Sequence, residues 1–332
     1  MLQALSNGRD NKGTLLEVAA SLSVSALLFL AIHFLFPVGM PLAMFAPVPL
    51  VILAMRRGLS TAMGTGILGA VLLGIPLGVP VTIGYLVAVV VPAFCIIQGL
   101  IAGWRPEKTV GIGALFVAVL TLGILSASLP DGLRVWVGEL VVETITAYEE
   151  AGAPAEQVGM MRQQSEAITD FLYHICPLTF AWTGMLLMVA SFLASRALIT
   201  KISNGAVTFL PMARWHLPDE WIWALIAAAV LVVLPVPAAR IAGGNLLGVL
   251  LLAYGFQGWA VLAHFFKTRQ VRPILQTAIY MTFVVWPVLA IPLVMLGVFD
   301  MWSDARGVRA GEGPGSPSQG PPPPSEEPPR DI

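Results

Sequence analysis

Charge is what this sequence has least of. Only 11% of its 332 residues are Asp, Glu, Lys or Arg, whereas soluble domains carry about 25%, so a globular surface could not be covered. The net charge of −1 offers no basic field that would attract nucleic acid. The two cysteines, Cys95 and Cys176, lie in or beside apolar runs, which favours small buried side chains over a disulfide or metal pair. An ordinary soluble domain is therefore excluded.

Apolar residues dominate instead, at 57% of the chain, with a mean hydropathy of +0.83. Their runs are continuous rather than alternating, which favours helices over a β-barrel. We predict an all-α, polytopic transmembrane helical bundle of about eight or nine spans, within residues 1–302. The expected spans are 15–36, 38–55, 59–75, 81–102, 109–126, 171–193, 221–238, 245–266 and 274–299.

The second run contains Pro41, Pro47 and Pro49. Interior prolines break helices, so we expect this segment to be irregular or kinked and buried by its neighbours. The third run contains G-x-G-x-x-G at 64–69. Because it lies inside an apolar run, without a preceding strand, this motif indicates close helix packing and not dinucleotide binding.

Two segments differ from the apolar runs. Residues 130–169 are acidic, yet Leu133, Val137 and Val141 recur at helical spacing, and Gly152 and Pro154 interrupt the pattern. We predict an amphipathic helical hairpin, within an insert at 127–169, on the membrane surface or over a cavity mouth. Residues 303–332 are rich in Gly, Pro, Ser and Glu, which predicts a disordered tail.

Basic residues follow alternate spans, whereas the other connections are uncharged, acidic or carry only Arg240. The positive-inside rule then predicts a cytoplasmic N-terminus, an extracytoplasmic hairpin and a C-terminus outside. The basic groups are Arg9/Lys12, Arg56/Arg57, Arg105/Lys108, Arg196/Lys201/Arg214 and Lys267/Arg269/Arg272.

Four uncharged or weakly basic polar residues are candidates for a cavity or for interhelical hydrogen bonds: Gln98, Tyr254, Gln257 and His264. The last three share one face of the eighth span. Either they bond neighbouring helices, with His264 at the interface, or Tyr254 and Gln257 line a cavity for a polar solute. No Asp, Glu, Lys or Arg lies well inside an expected span, which argues against a carrier driven by ions on its own.

The segment RWHLPDEW at 214–221 precedes the seventh span. One interpretation is an interfacial anchor, because tryptophans gather at membrane surfaces. The alternative is that Arg214, Trp215 and His216 dock a cytoplasmic partner, such as an energising or coupling membrane subunit.

Motifs for chemistry are missing from the sequence. It has no G-x-x-x-x-G-K-[ST] and no H-E-x-x-H, and its four histidines do not pair at ligand spacing. We therefore predict no enzymatic activity, no catalytic residue, no cofactor and no metal.

RWHLPDEW, followed by a span and then by NLLGVLLLAYGFQGWAVLAHFF at 245–266 with trailing Lys and Arg, resembles the YybS-like family of bacterial multi-pass membrane proteins of unknown function. The Pro-x-Pro-Leu motif at 47–50 and the Gly-rich third span resemble it as well, so that the similarity covers about residues 15–299. That family is distantly similar to substrate-binding S components of energy-coupling-factor transporters and to rod-shape envelope proteins. The resemblance implies a helical bundle in a bacterial inner membrane, with a ligand cavity and no catalytic residue.

Two functions follow as hypotheses. The first is a non-enzymatic solute-binding or transport component that takes its energy from a partner membrane subunit. The second is a cell-envelope scaffold that binds envelope proteins through its hairpin and tail. A membrane enzyme is the third and weakest alternative.

Overall fold

The computed structural model describes residues 11–35, 38–204, 215–285, 290–303 and 306–307. All regular secondary structure within these ranges is helical, which confirms the predicted all-α class. The chain forms two compact units, Met1–Pro211 with Glu220–Ala253, and Met212–Asp219 with Tyr254–Ile332. The described helices are α1 (Asn11–Phe34), α2 (Gly39–Ala43), α3 (Val48–Arg57), α4 (Leu59–Leu77), α5 (Val79–Tyr85), a π-helical segment (Leu86–Val90), α6 (Val91–Ile101), α7 (Pro106–Ser128), α8 (Leu133–Glu150), α9 (Ala155–Gln163), α10 (Ser165–Ile202), α11 (Trp221–Val233), α12 (Pro237–Thr268), α13 (Pro273–Val285) and α14 (Ala290–Ser303).

Seven helical segments of the described chain are long and apolar enough to cross a bilayer, and the seventh and ninth expected spans are not among them. The seventh is helical only over the 13 residues Trp221–Val233, about 20 Å against a hydrocarbon core of about 30 Å. It ends because Leu234, which precedes a proline, adopts an extended conformation. The ninth consists of α13 and α14, and residues 286–289 between them lie outside the described ranges.

The second span is broken, as predicted, between α2 and α3. Pro47 has no N–H, and the N–H of Val48 bonds the carbonyl of Phe45 (3.0 Å). The carbonyl of Met44, which Val48 would bond in a regular helix, instead accepts a hydrogen bond from Ser191 Oγ of α10 (2.6 Å). A hydroxyl from a neighbouring helix thus completes backbone that would be costly to leave unpaired in a membrane.

Tyr85 is also bonded to this break, through the hydroxyl of Ser25 on α1. Ser25 Oγ donates to the carbonyl of Ala46 (2.8 Å) and also lies 2.8 Å from Tyr85 Oη. Because the hydroxyl hydrogen of Ser25 is already donated, Tyr85 must donate to Ser25 Oγ. Tyr85 is 0% exposed, and its ring meets that of Phe29 edge to face at 5.2 Å. The hydroxyl of Tyr85 therefore has its hydrogen-bond partner within the first unit.

A second backbone repair lies where Pro177 interrupts α10. The side chain of Asn245 on α12 accepts the N–H of Leu178 (2.9 Å) and donates to the carbonyl of His174 (2.8 Å). An unbroken helix would join these two backbone groups to each other. Asn245 therefore joins α10 to the first half of α12 and satisfies groups beside the proline.

The predicted amphipathic hairpin is helical and has a small core of its own. Val141 and Ile145 of α8 pack against Val158 of α9, and all three are buried. Arg134 Nε donates to Asp170 Oδ1 at 2.8 Å, which joins α8 to the start of α10. With 38 residues, α10 is about 57 Å long, so one end of it extends beyond a bilayer core.

Ion pairs join the start of the first span to the end of the second. Glu17 of α1 pairs with Arg57 (2.7 Å) and Arg56 (3.3 Å) at the end of α3. The start of the first span therefore lies beside the end of the second, as two successive crossings require. The predicted disordered tail, residues 303–332, lies mostly outside the described residues. Of this tail, the structure describes Ser303, Arg306 and Gly307.

Candidate functional site

Tyr254 and Gln257 lie on one face of α12, three residues apart, and both are 0% exposed. They stand near the middle of the uncharged stretch between Arg240 and Lys267, in a helix long enough to span a membrane. The sequence predicted these two residues as candidates for a cavity or for interhelical bonding. The second unit brings them together with groups that the sequence analysis did not select.

Helix α14 approaches α12 at this level because two glycines face each other. A Cβ added at Gly258 would lie 1.9 Å from the carbonyl oxygen of Leu293, and one added at Gly297 would lie 2.0 Å from that of Tyr254. Both neighbours are backbone atoms, which cannot move aside as the end of a side chain could. Close contact through small residues is how helices associate in lipid, and it places Asp300, one turn after Gly297, beside Gln257.

Both ends of the Gln257 amide are bonded. Its Oε1 accepts the backbone N–H of Leu217 (3.1 Å), and its Nε2 donates to Asp300 Oδ2 (3.1 Å). One buried side chain on α12 therefore holds both the 215–219 segment and α14. This arrangement favours the interhelical interpretation for Gln257 itself.

Asp300 forms a buried ion pair with Arg306. Arg306 Nη2 lies 2.6 Å from Asp300 Oδ2 and Arg306 Nε lies 3.1 Å from both carboxylate oxygens, with side-chain exposures of 1% and 3%. Arg306 Nη1 also donates to the carbonyl of Trp215 (2.9 Å). Burying two charges is tolerable only with such complete pairing. The polar network is defined here as Trp215, Leu217, Gln257, Asp300 and Arg306.

The ion pair consists of two residues that the sequence analysis did not select. The sequence analysis found no ionisable group well inside a span, because the last run was taken to end at Phe299. In the structure α14 continues to Ser303, so Asp300 is a buried helical residue. A signal was present: Asp300 is the first acidic residue after Glu220. Arg306 carried no comparable signal, since it lies beyond the last apolar run.

Two buried polar atoms next to this network have no hydrogen-bond partner among the described residues. They are Tyr254 Oη and Trp215 Nε1. Trp215 is 3% exposed, and its ring lies 6.4 Å from that of Phe256. A buried donor without a partner costs about 1–3 kcal/mol. The site can therefore offer hydrogen bonds that its own described groups do not accept.

The docking hypothesis for the 214–216 segment stays a prediction. Within it, Trp215 and His216 are 3% and 7% exposed in the structure. Their burial follows from the bonds of this segment to Gln257 and Arg306. His216 Nε2 lies 3.2 Å from Asp219 Oδ1. Arg214, the third residue of that hypothesis, lies outside the described residues.

The remaining candidates stand apart from the network. Gln98 is half-buried on α6 in the first unit, and its role in a cavity or in interhelical hydrogen bonds stays a prediction. His264 is half-buried on α12, two turns after Gln257, close to Arg269, which lies over the ring of Phe265. Among the described residues, no three His, Cys, Asp or Glu side chains gather in a group that could hold a metal ion.

A family model described as a predicted membrane protein (DUF2232) matches residues 23–301. The matched range includes Tyr254, Gln257 and Asp300 and stops before Arg306. No curated protein and no solved structure matches the chain.

Proposed function

This chain belongs to the DUF2232 family of predicted membrane proteins, and from that premise we propose that it binds a small polar solute within the membrane, as a non-enzymatic component of a transport system. The observation that carries the proposal is the polar network around Gln257, at the middle of a candidate span. Ionisable side chains at that depth are rare and commonly mark solute or ion pathways. The resemblance to the YybS-like family, and through it to transporter S components, supports the same function.

The charges of Asp300 and Arg306 compensate each other. The network thus lacks the kind of uncompensated carboxylate that binds a driving ion. We therefore expect energy to come from a partner membrane subunit.

The proposed location is a bacterial inner membrane with a cytoplasmic N-terminus. Its support is the alternation of basic connections with connections that are uncharged, acidic or carry only Arg240, together with the ion pairs that join Glu17 to Arg56 and Arg57. This orientation makes the α8–α9 hairpin extracytoplasmic. A reporter that is active only outside the cytoplasm, fused at Glu150, should be active; activity only from a cytoplasmic reporter would invert the topology.

The test of solute binding is a thermal-shift screen of the purified full chain against vitamins, amino acids and metal ions. Gln163→Leu is the matched control for Gln257→Leu, because it makes the same substitution at an exposed glutamine of α9, outside the candidate residues. A solute of this site should stabilise the wild type and the Gln163 variant but not the Gln257 variant. Silence of a broad panel with the wild-type protein would count decisively against solute binding.

An envelope scaffold is the second candidate, because the hairpin carries its own core and exposes Val142 (59%) and Tyr148 (55%). A photo-crosslinker at Val142 should then capture a defined envelope protein in cells. The control position is Leu115 on α7, which is similarly exposed (63%). Equal capture at both positions, or no capture at Val142, would contradict the scaffold function and leave the transport function as the remaining proposal.

A further inference from the structure

We infer that one end of the first unit binds the headgroups of anionic phospholipids. This basic end consists of residues 12–17 at the start of α1, 56–57 at the end of α3, 104–108 at the corner between α6 and α7, and 196–201 at the end of α10. All four stretches belong to the first unit, so the lipid surface is independent of the solute proposed for the second unit. Its support is the direction of the helices, the charge that they collect, and an aromatic residue at the corner.

Helix α4 brings the end of α6 to the end of α3. A Cβ added at Gly66 of α4 would lie 3.0 Å from Leu50 of α3 and 3.0 Å from Val90 of the π-helical segment. One added at Gly69 would lie 3.1 Å from the hydroxyl oxygen of Tyr85. Because the later residue of α4 meets the earlier residue of the chain that leads into α6, these two segments run in opposite directions. Helix α6 therefore ends on the side where α4 starts and α3 ends.

Helices α7 and α10 also run in opposite directions. A Cβ added at Gly113 of α7 would overlap the side chain of Met188 on α10, and one added at Gly184 would lie 3.4 Å from Val117. The later residue of α7 thus meets the earlier residue of α10. The end of α10 therefore lies beside the start of α7.

This arrangement brings Arg105 and Arg196 to the same level of the unit. Arg105 precedes Gly113 by eight residues, and Arg196 follows Met188 by eight residues. Each arginine is therefore about 12 Å along its helix from the contact between Gly113 and Met188. Two guanidinium groups at one level of neighbouring helices raise the local positive potential. Glu107, whose carboxylate lies 3.6 Å from Arg105 Nε, offsets one of these charges.

The charge of the first unit is divided between its two ends. The four stretches of the basic end carry seven basic and two acidic side chains, whereas residues 131–170 of the hairpin carry eight acidic and two basic ones. An anionic headgroup is attracted by the first surface and repelled by the second. Each Lys or Arg near an anionic membrane surface strengthens binding about fivefold.

The corner between α6 and α7 has a fixed shape and an aromatic residue suited to the headgroup region. Gly103 has φ +65°, and the N–H of Trp104 bonds the carbonyl of Gly99 (2.8 Å), as in a helix that ends at a glycine. Lys108 Nζ lies 4.8 Å from the centroid of the Trp104 ring. Tryptophan is enriched at the level of lipid headgroups. Arg105, with a side-chain exposure of 50%, and the exposed Lys108 are therefore placed to meet lipid phosphates.

The test is thermal unfolding of the full-length protein in a neutral detergent, with phosphatidylglycerol or phosphatidylcholine of the same acyl chains. A ligand of the folded state raises the melting temperature, so phosphatidylglycerol should raise it more than phosphatidylcholine does. Inorganic phosphate at the same concentration distinguishes a soluble anion from a lipid and should leave the melting temperature unchanged. Raising NaCl from about 0.1 M to about 1 M shortens the Debye length from about 10 Å to about 3 Å and should remove most of the phosphatidylglycerol effect.

Arg105→Gln with Lys108→Gln removes two charges from the corner. The phosphatidylglycerol concentration that gives half of the maximal stabilisation should then rise about 25-fold, or about fivefold for each side chain. Arg134→Gln with Arg162→Gln makes the same change of net charge in the hairpin and should leave that concentration unchanged. Each variant is compared with itself without lipid. If the corner variant does not unfold cooperatively, Lys201→Gln at an exposed position of α10 takes its place, with an expected rise of about fivefold.

The inference is overturned if phosphatidylcholine or inorganic phosphate stabilises the wild type as much as phosphatidylglycerol does, or if the lipid effect persists at high salt. It is also overturned if the corner variant keeps the wild-type lipid dependence, or if the hairpin variant loses as much. A silent solute screen would reject the proposed function and leave the lipid surface standing, so the two proposals fail separately.

Discussion

Among the described residues, each unit completely buries a tyrosine, and the hydroxyl groups of these two tyrosines differ in their hydrogen bonds. Tyr85 and Tyr254 are both 0% exposed. The hydroxyl of Tyr85 bonds Ser25, which in turn bonds the broken backbone at Ala46. The hydroxyl of Tyr254 has no partner among the described residues. The two side chains are equally buried, but only the hydroxyl of Tyr85 has a hydrogen-bond partner among the described residues. We therefore assign Tyr85 to the fold and regard Tyr254 as available to a ligand.

Other polar residues follow the same division. In the first unit Ser25, Ser191 and Asn245 each bond backbone groups beside a proline break, so their role is structural. Ser195 is an exception, since its buried hydroxyl has no partner in the described part of the chain. In the second unit the polar groups bond a charged pair, and two donors have no partner among the described residues. Neither burial nor a missing partner alone identifies a site, since Ser195 of the first unit has both.

Removing one charge of the buried ion pair in the second unit should have the largest effect on stability. Arg306→Met leaves Asp300 buried without its counter-ion and should lower the free energy of unfolding by about 3–5 kcal/mol. The measurement is denaturant unfolding in detergent. The double variant Asp300→Leu with Arg306→Met removes both charges and should recover most of that loss. If the single variant is as stable as the wild type, the pair is not buried.

Adding a methyl group at the contact between α12 and α14 should have the next largest effect on stability. Gly258→Ala forces a methyl group against the carbonyl of Leu293 and should cost about 3 kcal/mol. Gly255→Ala is the matched control on the same helix, because a Cβ added there would lie at an ordinary 3.5 Å from Val294. Equal melting temperatures for the two variants would contradict the close crossing.

A smaller loss of stability is expected when the side chain that bonds the backbone beside Pro177 is removed from the first unit. Asn245→Leu leaves the N–H of Leu178 and the carbonyl of His174 without that side chain and should cost about 2 kcal/mol. Pro177→Ala provides a matched background, because it allows α10 to close its own hydrogen bonds. In that background the loss from Asn245→Leu should shrink. A double-mutant cycle with no coupling would show that Asn245 does not act through the proline break.

The sequence predicted features whose causes are local. Apolar runs give helices, Pro47 lies at the break of the second span, and Gly152 with Pro154 divides the hairpin. It did not predict partnerships between distant segments. Nothing in the sequence around Arg306 indicates that the chain folds back after α14 to bond Asp300 and the carbonyl of Trp215. For the same reason Trp215, which resembles an interfacial anchor, is buried instead.

The most direct test compares Tyr254→Phe with Tyr85→Phe by their free energies of unfolding, without any ligand. Tyr85→Phe loses the bond to Ser25 and should be less stable than the wild type by about 1 kcal/mol. Tyr254→Phe removes a hydroxyl that bonds nothing in the described residues, so its stability should be unchanged or higher. A loss at Tyr254 as large as that at Tyr85 would mean that the hydroxyl already has a partner, and would contradict the assignment of this face of α12 to a solute.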